Sequence, residues 1–238
     1  MSRLRDIETL SFSERQQLID YLKTFKEEAR LKTFERVIEG RTNYFTVMLE
    51  NIVHPHNASA VLRSCDCFGV QTVHLVDDAD SYAVNRKVAM GASKWLHLKR
   101  YSTFGNNSKA AIDGLKAAGY RIVATTPHKE APSLSSFDIF KGPAAFVFGT
   151  ELTGISSDVE SMADEFITIP MVGFTESLNL SVAVAVLLQS VTARLHLSDI
   201  DWSLDLEQKQ KLFLEWLRKS IPHISLIEER FFKMHFKR

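Results

Sequence analysis

Phe45-Thr-Val-Met-Leu49-Glu50-Asn51-Ile-Val-His54-Pro55-His56-Asn57-Ala-Ser-Ala-Val-Leu62-Arg63-Ser64-Cys65-Asp66-Cys67-Phe68-Gly69 is the stretch that decides the fold. Its first five residues are aromatic, β-branched or aliphatic without a polar alternation, as in a strand covered on both faces. A polar loop follows, then residues 57–68 carry apolar side chains at helical spacing. Asn57 is placed to cap that helix, and Gly69 to stand just past its end. The same unit recurs downstream. Residues 72–76, 120–125, 144–148 and 166–169 read as strands, with 96–100 a weaker one. Residues 83–90, 108–118, 156–163 and 178–196 read as helices between and after them. Continuous strands interleaved with helices predict an α/β fold, a mostly parallel sheet with helices on both faces.

Outside this core, residues 12–39 place Leu18, Ile19, Leu22, Phe25, Ala29 and Val37 at helical spacing, with Ser13 as the expected cap. After a turn at 199–203, helices are expected at 205–219 and 223–236. The predicted organisation is a helical extension over 1–40, a core over 41–198 and a second helical extension over 199–238. Apolar stripes such as Phe213, Trp216 and Leu217 require the extensions to bury a face on the core, a second subunit or a substrate.

Composition narrows the classes. The chain has 238 residues, 45% hydrophobic and 24% charged, with 29 Lys and Arg against 29 Asp and Glu. Disordered, collagenous and coiled-coil proteins are excluded. Two cysteines in a C-x-C give no disulfide framework and fit a reduced, cytoplasmic protein. The longest apolar run, residues 182–188, is too short to span a bilayer, and the N-terminus lacks a signal-peptide core. Zero net charge speaks against a globally basic nucleic-acid binder. It is an average, however: residues 205–238 hold eight basic and five acidic groups, against twelve and fifteen over 51–204.

Ligands of parallel sheets sit past the carboxyl ends of strands, so the loops there carry the chemistry. No G-x-G-x-x-G follows the first strand. Gly149 and Gly154 have P-loop spacing, but no lysine follows, so nothing would reach a terminal phosphate. Arg63 is a cation in an otherwise apolar helical segment; it requires an anion, either Asp66 or an incoming phosphate. Glu151 is a carboxylate in the Gly149–Gly154 turn, and Ser177 and Asn179 head a very apolar helix. His54, His56 and the two cysteines lack a second ligand cluster, and no metal site is expected.

Three segments, 57–64, 148–155 and 169–183, together resemble the SpoU/TrmH family of SPOUT RNA 2′-O-ribose methyltransferases. Residues 49–57 and Gly91-Ala-Ser-Lys94-Trp95 look most like its branch that methylates a D-loop guanosine of tRNA. The resemblance implies a homodimer with a C-terminal trefoil knot in which S-adenosylmethionine is held at Thr125, Gly149, Ile169 and Leu178. It gives Arg63 the central catalytic role, with Asn57 placing it and Glu151, Ser177 and Asn179 shaping the site. Ribosomal RNA as target, or RNA binding without turnover, are the alternatives. For tRNA, a footprint is expected on the basic tail and nearby cations: Arg41, Lys209, Lys211, Arg218, Lys219, Arg230 and Lys233, together with Arg3, Arg5, Lys237 and Arg238. No membrane or metal partner is expected.

Overall fold

A computed structural model describes residues 4–52, 54–77, 91–102, 105–127 and 131–236. The helix expected at 83–90 lies outside them. The chain divides into two units: Thr42–Trp202, and a second made of Met1–Arg41 with Ser203–Arg238.

The first unit is built on six parallel strands, β1 (Phe45–Glu50), β2 (Thr72–Val76), β3 (His97–Tyr101), β4 (Arg121–Thr125), β5 (Ala144–Phe148) and β6 (Glu165–Ile167), in the order β3-β2-β1-β5-β4-β6. Side-chain alternation divides the core between the two faces. Phe45, Val47 and Leu49 face one way, with Phe146, onto α3 (Pro55–Cys67) and α6 (Leu180–His196). Met48, Ala145 and Val147 face the other, onto Ile112 and Leu115 of α4 (Asn107–Ala117) and Val159 of α5 (Ser157–Met162). β1, β2 and β5 are buried on both faces, which is why they read as largely apolar runs. Each buried aliphatic side chain contributes about 1.5–3 kcal/mol.

Local chemistry moves three boundaries. Asn57 does not cap α3: Pro55, whose ring pre-sets the first helical φ and which has no N–H to lose, starts the helix earlier, with His54 as cap. The side chain of Asn57 is thereby released for other bonds. β6 stops at Ile167 because Thr168 bonds sideways, its N–H to Pro132 O at 2.9 Å while its O accepts from Leu134 N at 2.8 Å. Asn179, as expected at the head of a buried helix, caps α6.

The second unit comprises α1 (Phe12–Lys23), α2 (Glu28–Glu39), α7 (Leu206–Ser220) and α8 (Ile224–His235). Ser11, not Ser13, caps α1, because Glu14 three residues on accepts from the Ser11 N–H and completes a capping box. Leu18, Leu22, Phe34, Trp216, Leu217 and Phe231 form its interior. Buried Arg15 ties α1 to α7 through Gln210 at 2.9 Å and Glu207 at 3.0 Å. Arg218 grips the buried Glu228 with two bonds of 2.6 and 2.9 Å. Burial raises the Glu228 pKa, although Arg218 pulls it back.

Candidate active site

The loop after β5 is closed on itself. Thr150 N–H donates to Gly154 O at 2.9 Å, Gly154 N–H returns to Thr150 O at 3.1 Å, and Thr153 N–H bonds the Thr150 hydroxyl at 2.9 Å. Two glycines make this possible. Gly154 sits at φ 72, where an L side chain is strained, and a Cβ on Gly149 would lie 2.0 Å from Gly154 O. The closed loop carries Glu151 exposed near its tip. Its far end is pinned by Ser156, the cap of α5, whose N–H and hydroxyl donate to Glu50 at 2.9 and 2.7 Å. Glu50 is 2% exposed and also accepts from Ser108 at the start of α4. Three donors without a cation hold this buried carboxylate. Directly after it, Asn51 takes a left-handed φ of 53, which Asn tolerates better than most residues, and leads the chain away from β1.

The three chemically unusual loops meet through side-chain amides. Asn179 Oδ1 accepts from Ser181 N–H at 2.9 Å and the Ser181 hydroxyl at 2.6 Å, while its Nδ2 donates to Asn57 Oδ1 at 3.3 Å. Asn57 Nδ2 in turn donates to Glu151 Oε1. The run from α6 through α3 to the β5 loop thus ends on a carboxylate, which can only accept when ionised. Arg63 is exposed on α3, and among the described residues it has no hydrogen bond or ion pair; Asp66 is not its partner. A cation presented this way is available to an external anion.

Past the carboxyl ends of β4, β5 and β6 lies a cavity of about 1180 Å³. Thr125, Gly149, Ile169 and Leu178 all line it, and so do Glu151, Ser177 and Asn179; Asn57 and Arg63 do not. Phe148, Ile155, Leu180 and Ala183 add apolar wall. Glu160, Asp164, Glu165 and Glu176 join Glu151 as carboxylates, and among the described residues the lining contains no Lys or Arg. At Asp164 burial raises the pKa, but the Ile122 N–H together with Lys116 and Arg121 outweighs it and the net direction is down. The cavity is therefore apolar at its walls and negative at its rim. Its volume lies somewhat above the roughly 300–1,000 Å³ typical of ligand clefts.

Most of the cations expected to meet RNA are engaged within the protein. Arg41 is 2% exposed with its guanidinium 5.4 Å over Trp216, and Arg218 is committed to Glu228, so neither is open to RNA. Lys209 is held by Glu39 at 2.6 Å, Lys211 by Glu8 at 2.6 Å, Lys219 by Glu215 at 3.6 Å and Lys233 by Glu229 at 2.6 Å. A phosphate approaching any of these four meets a carboxylate beside the cation. Arg230 has no carboxylate partner among the described residues. Arg3, Lys237 and Arg238 lie outside those residues.

Glu50 is the residue that sequence reasoning left without a role. Its signal was present: a carboxylate at the end of an apolar strand needs donors, and serines stand at the heads of two helices that follow.

The SpoU rRNA Methylase family matches over residues 44–189. A tRNA (guanosine(18)-2′-O)-methyltransferase of Borreliella burgdorferi is 39% identical over 210 residues, covering 88% of this chain and 94% of that protein. The Thermus thermophilus protein of the same name is 37% identical over 82% of this chain and 98% of its own length. Among solved structures, the Aquifex aeolicus TrmH/SpoU tRNA modifying enzyme superposes with a TM-score of 0.71 at 29% identity, covering 82% of this chain and 98% of that one. An AdoMet-bound rRNA methyltransferase from Sinorhizobium meliloti superposes with a TM-score of 0.56 at 25% identity over 69% and 60%. The agreement runs through the sheet and all three loops, and on that ground the chain belongs to the SpoU rRNA Methylase family.

Proposed function

We propose that this protein transfers a methyl group from S-adenosylmethionine to the ribose 2′-hydroxyl of the D-loop guanosine 18 of tRNA, the reaction named for its Borreliella and Thermus relatives. The observation that carries this reading is the Asn179–Asn57–Glu151 chain at the mouth of a cation-friendly cavity, beside a helix that presents an unpaired arginine. The donor set fits the cofactor: the carboxylates of the lining favour a sulfonium and an ammonium, and Phe148, Ile155 and Ile169 offer apolar surface to a base. Thr125, Gly149, Ile169 and Leu178 are the residues we assign to holding it.

S-adenosylmethionine supplies an already activated methyl group, so the protein's task is alignment and charge control. A guanidinium is a hydrogen-bond donor without an acceptor, so Arg63 is given no role as a base. It clamps the phosphate next to the target ribose and stabilises negative charge on the 2′-oxygen, while the proton leaves through that phosphate or water. Asn57 holds Glu151 in place, and Ser177 and Asn179 shape the entrance.

Two further features complete the reading. We place a trefoil knot where the chain leaves β6 at the sheet edge, bonds to Pro132 and Leu134, and returns as α6, whose Arg194 donates to Phe137 O at 2.7 Å and Leu134 O at 3.4 Å. A homodimer would cover the outer stripe of α6, where Val182, Val186 and Leu197 are exposed. With tRNA as substrate the protein works in the cytoplasm; among the described residues no helix is long and apolar enough to cross a membrane. The test is incubation with labelled S-adenosylmethionine and separate unmodified tRNA and ribosomal RNA, followed by mapping of the 2′-O-methyl group. Label at the D-loop guanosine is expected. Label confined to ribosomal RNA overturns the target, and cofactor binding without transfer to either overturns the activity.

A further inference from the structure

With five of the tail cations, Lys209, Lys211, Arg218, Lys219 and Lys233, engaged by carboxylates, an RNA substrate has reason to find positive surface elsewhere. The α/β unit holds twelve Lys and Arg against sixteen Asp and Glu, yet these are unevenly placed. From Ser81 through Ile112 the sequence has six Lys and Arg and no Asp or Glu. Lys94, Lys99, Arg100 and Lys109 belong to the described part of this stretch. None of the four has an ion pair with a carboxylate among the described residues, and all are exposed. Half of the unit's cations thus fall in an acid-free segment of a net-acidic unit.

The fold lays this segment along one line. Lys94 ends a short 3-10 turn, its ammonium 5.0 Å over the half-buried Trp95 ring, and β3 follows at once as the edge strand of the sheet. Successive side chains of a strand point to opposite faces, so Lys99 and Arg100 lie on either side of the strand that ends the sheet among the described residues. His97 and Tyr101 belong to the same strand. Cations interleaved with aromatic rings along a groove or edge are what a nucleic-acid backbone and its bases meet in sequence-tolerant binding. Three inter-strand spacings, about 14 Å, separate β3 from β5, whose loop carries Glu151. That reach is a few nucleotides of backbone.

We propose that the β3 edge, with Lys94, Lys99 and Arg100, is the surface on which the phosphate backbone of the RNA substrate docks. This rests on the RNA-substrate reading above and replaces the tail as the main electrostatic footprint. The competing explanation is that charges on an edge strand only prevent pairing with other sheets.

The experiment measures binding of an unmodified tRNA transcript to the full-length protein between 50 and 200 mM salt, for wild type, Lys99→Gln/Arg100→Gln, Lys94→Gln and Lys209→Gln/Lys211→Gln. Affinity for S-adenosylmethionine, measured on each variant, reports whether the fold is intact. The β3 double variant is expected to weaken tRNA binding about tenfold and to reduce the slope of log K against log salt by about 1–2, and Lys94→Gln by about 1. The tail pair is expected to stay within about twofold. Wild-type affinity and slope in both the double variant and Lys94→Gln, or a larger loss in the tail pair, overturn the proposal. Binding is read without turnover, so a failure here is distinct from a wild-type protein that does not methylate tRNA.

Discussion

In the helical unit seventeen Lys and Arg meet thirteen Asp and Glu, and the cations are largely answered from within: Arg15 by Gln210 and Glu207, Arg218 by Glu228, Lys209 by Glu39, Lys211 by Glu8. In the α/β unit the balance is reversed, but charge is segregated. Carboxylates gather around the cavity past β4, β5 and β6, while Arg63 and the β3 edge keep unpaired cations. Net charge therefore points the wrong way. Among the described residues, the unit with the surplus of four positive charges uses many of them for cohesion, while the unit with the deficit of four presents Arg63 and the β3 cations. What a ligand meets is the set of charges left without a partner, not the formal sum.

Breaking the cohesive side of this contrast should have the largest effect. Glu228→Ala leaves Arg218 buried without its counter-ion and is expected to cost about 3–5 kcal/mol in urea unfolding; a loss below 1 kcal/mol would show that the pair is as dispensable as a surface bridge. On the presenting side, Arg63→Lys keeps the charge but not the planar fork. It should lower kcat by about 10²–10³ with stability and cofactor affinity unchanged. Near-normal turnover would end the clamp assignment. A third test lies between the two. His74 of β2 is 3% exposed, stacks on Tyr101 at 5.8 Å and is hydrogen-bonded to its hydroxyl at 3.1 Å. Burial pushes its pKa down to about 4, and Lys99 adds to the shift. The unfolded chain binds this proton from about pH 6.5, the folded one only near 4. Stability should therefore fall as pH drops through that window, by no more than about 3 kcal/mol. His74→Phe should flatten that part of the stability profile, and an unchanged profile would place the titration elsewhere.

Much of the α/β unit was legible because its signals are local. Unbroken apolar runs marked β2 and β5 at their observed ends, the helix expected from residue 156 is α5 with Ser156 as its cap, and Gly69 stands past α3 at φ 78. The misplaced cap at Asn57 was also a local matter, since a proline two residues earlier outranks a capping amide. Other features are set by distance along the chain. Lys211 and Glu8 are about 200 residues apart, as are Arg15 and Gln210, and no pattern of spacing reveals such pairs. The same holds for the candidate site. Asn57, Glu151 and Asn179 could be singled out as unusual, but their bonding into one chain depends on three loops that only the folded sheet brings together.

The helical unit is assembled from the two ends of the polypeptide, with the whole α/β unit lying between Arg41 and Ser203. Synthesis therefore imposes an order. α1 and α2 are made before the sheet, with Leu18, Leu22 and Phe34 uncovered until their partners follow. Trp216 and Phe231 belong to helices made only after the sheet. During that interval the nascent chain exposes an apolar surface that its own later residues cover, and such transiently exposed surface is what makes a partly made chain prone to aggregate.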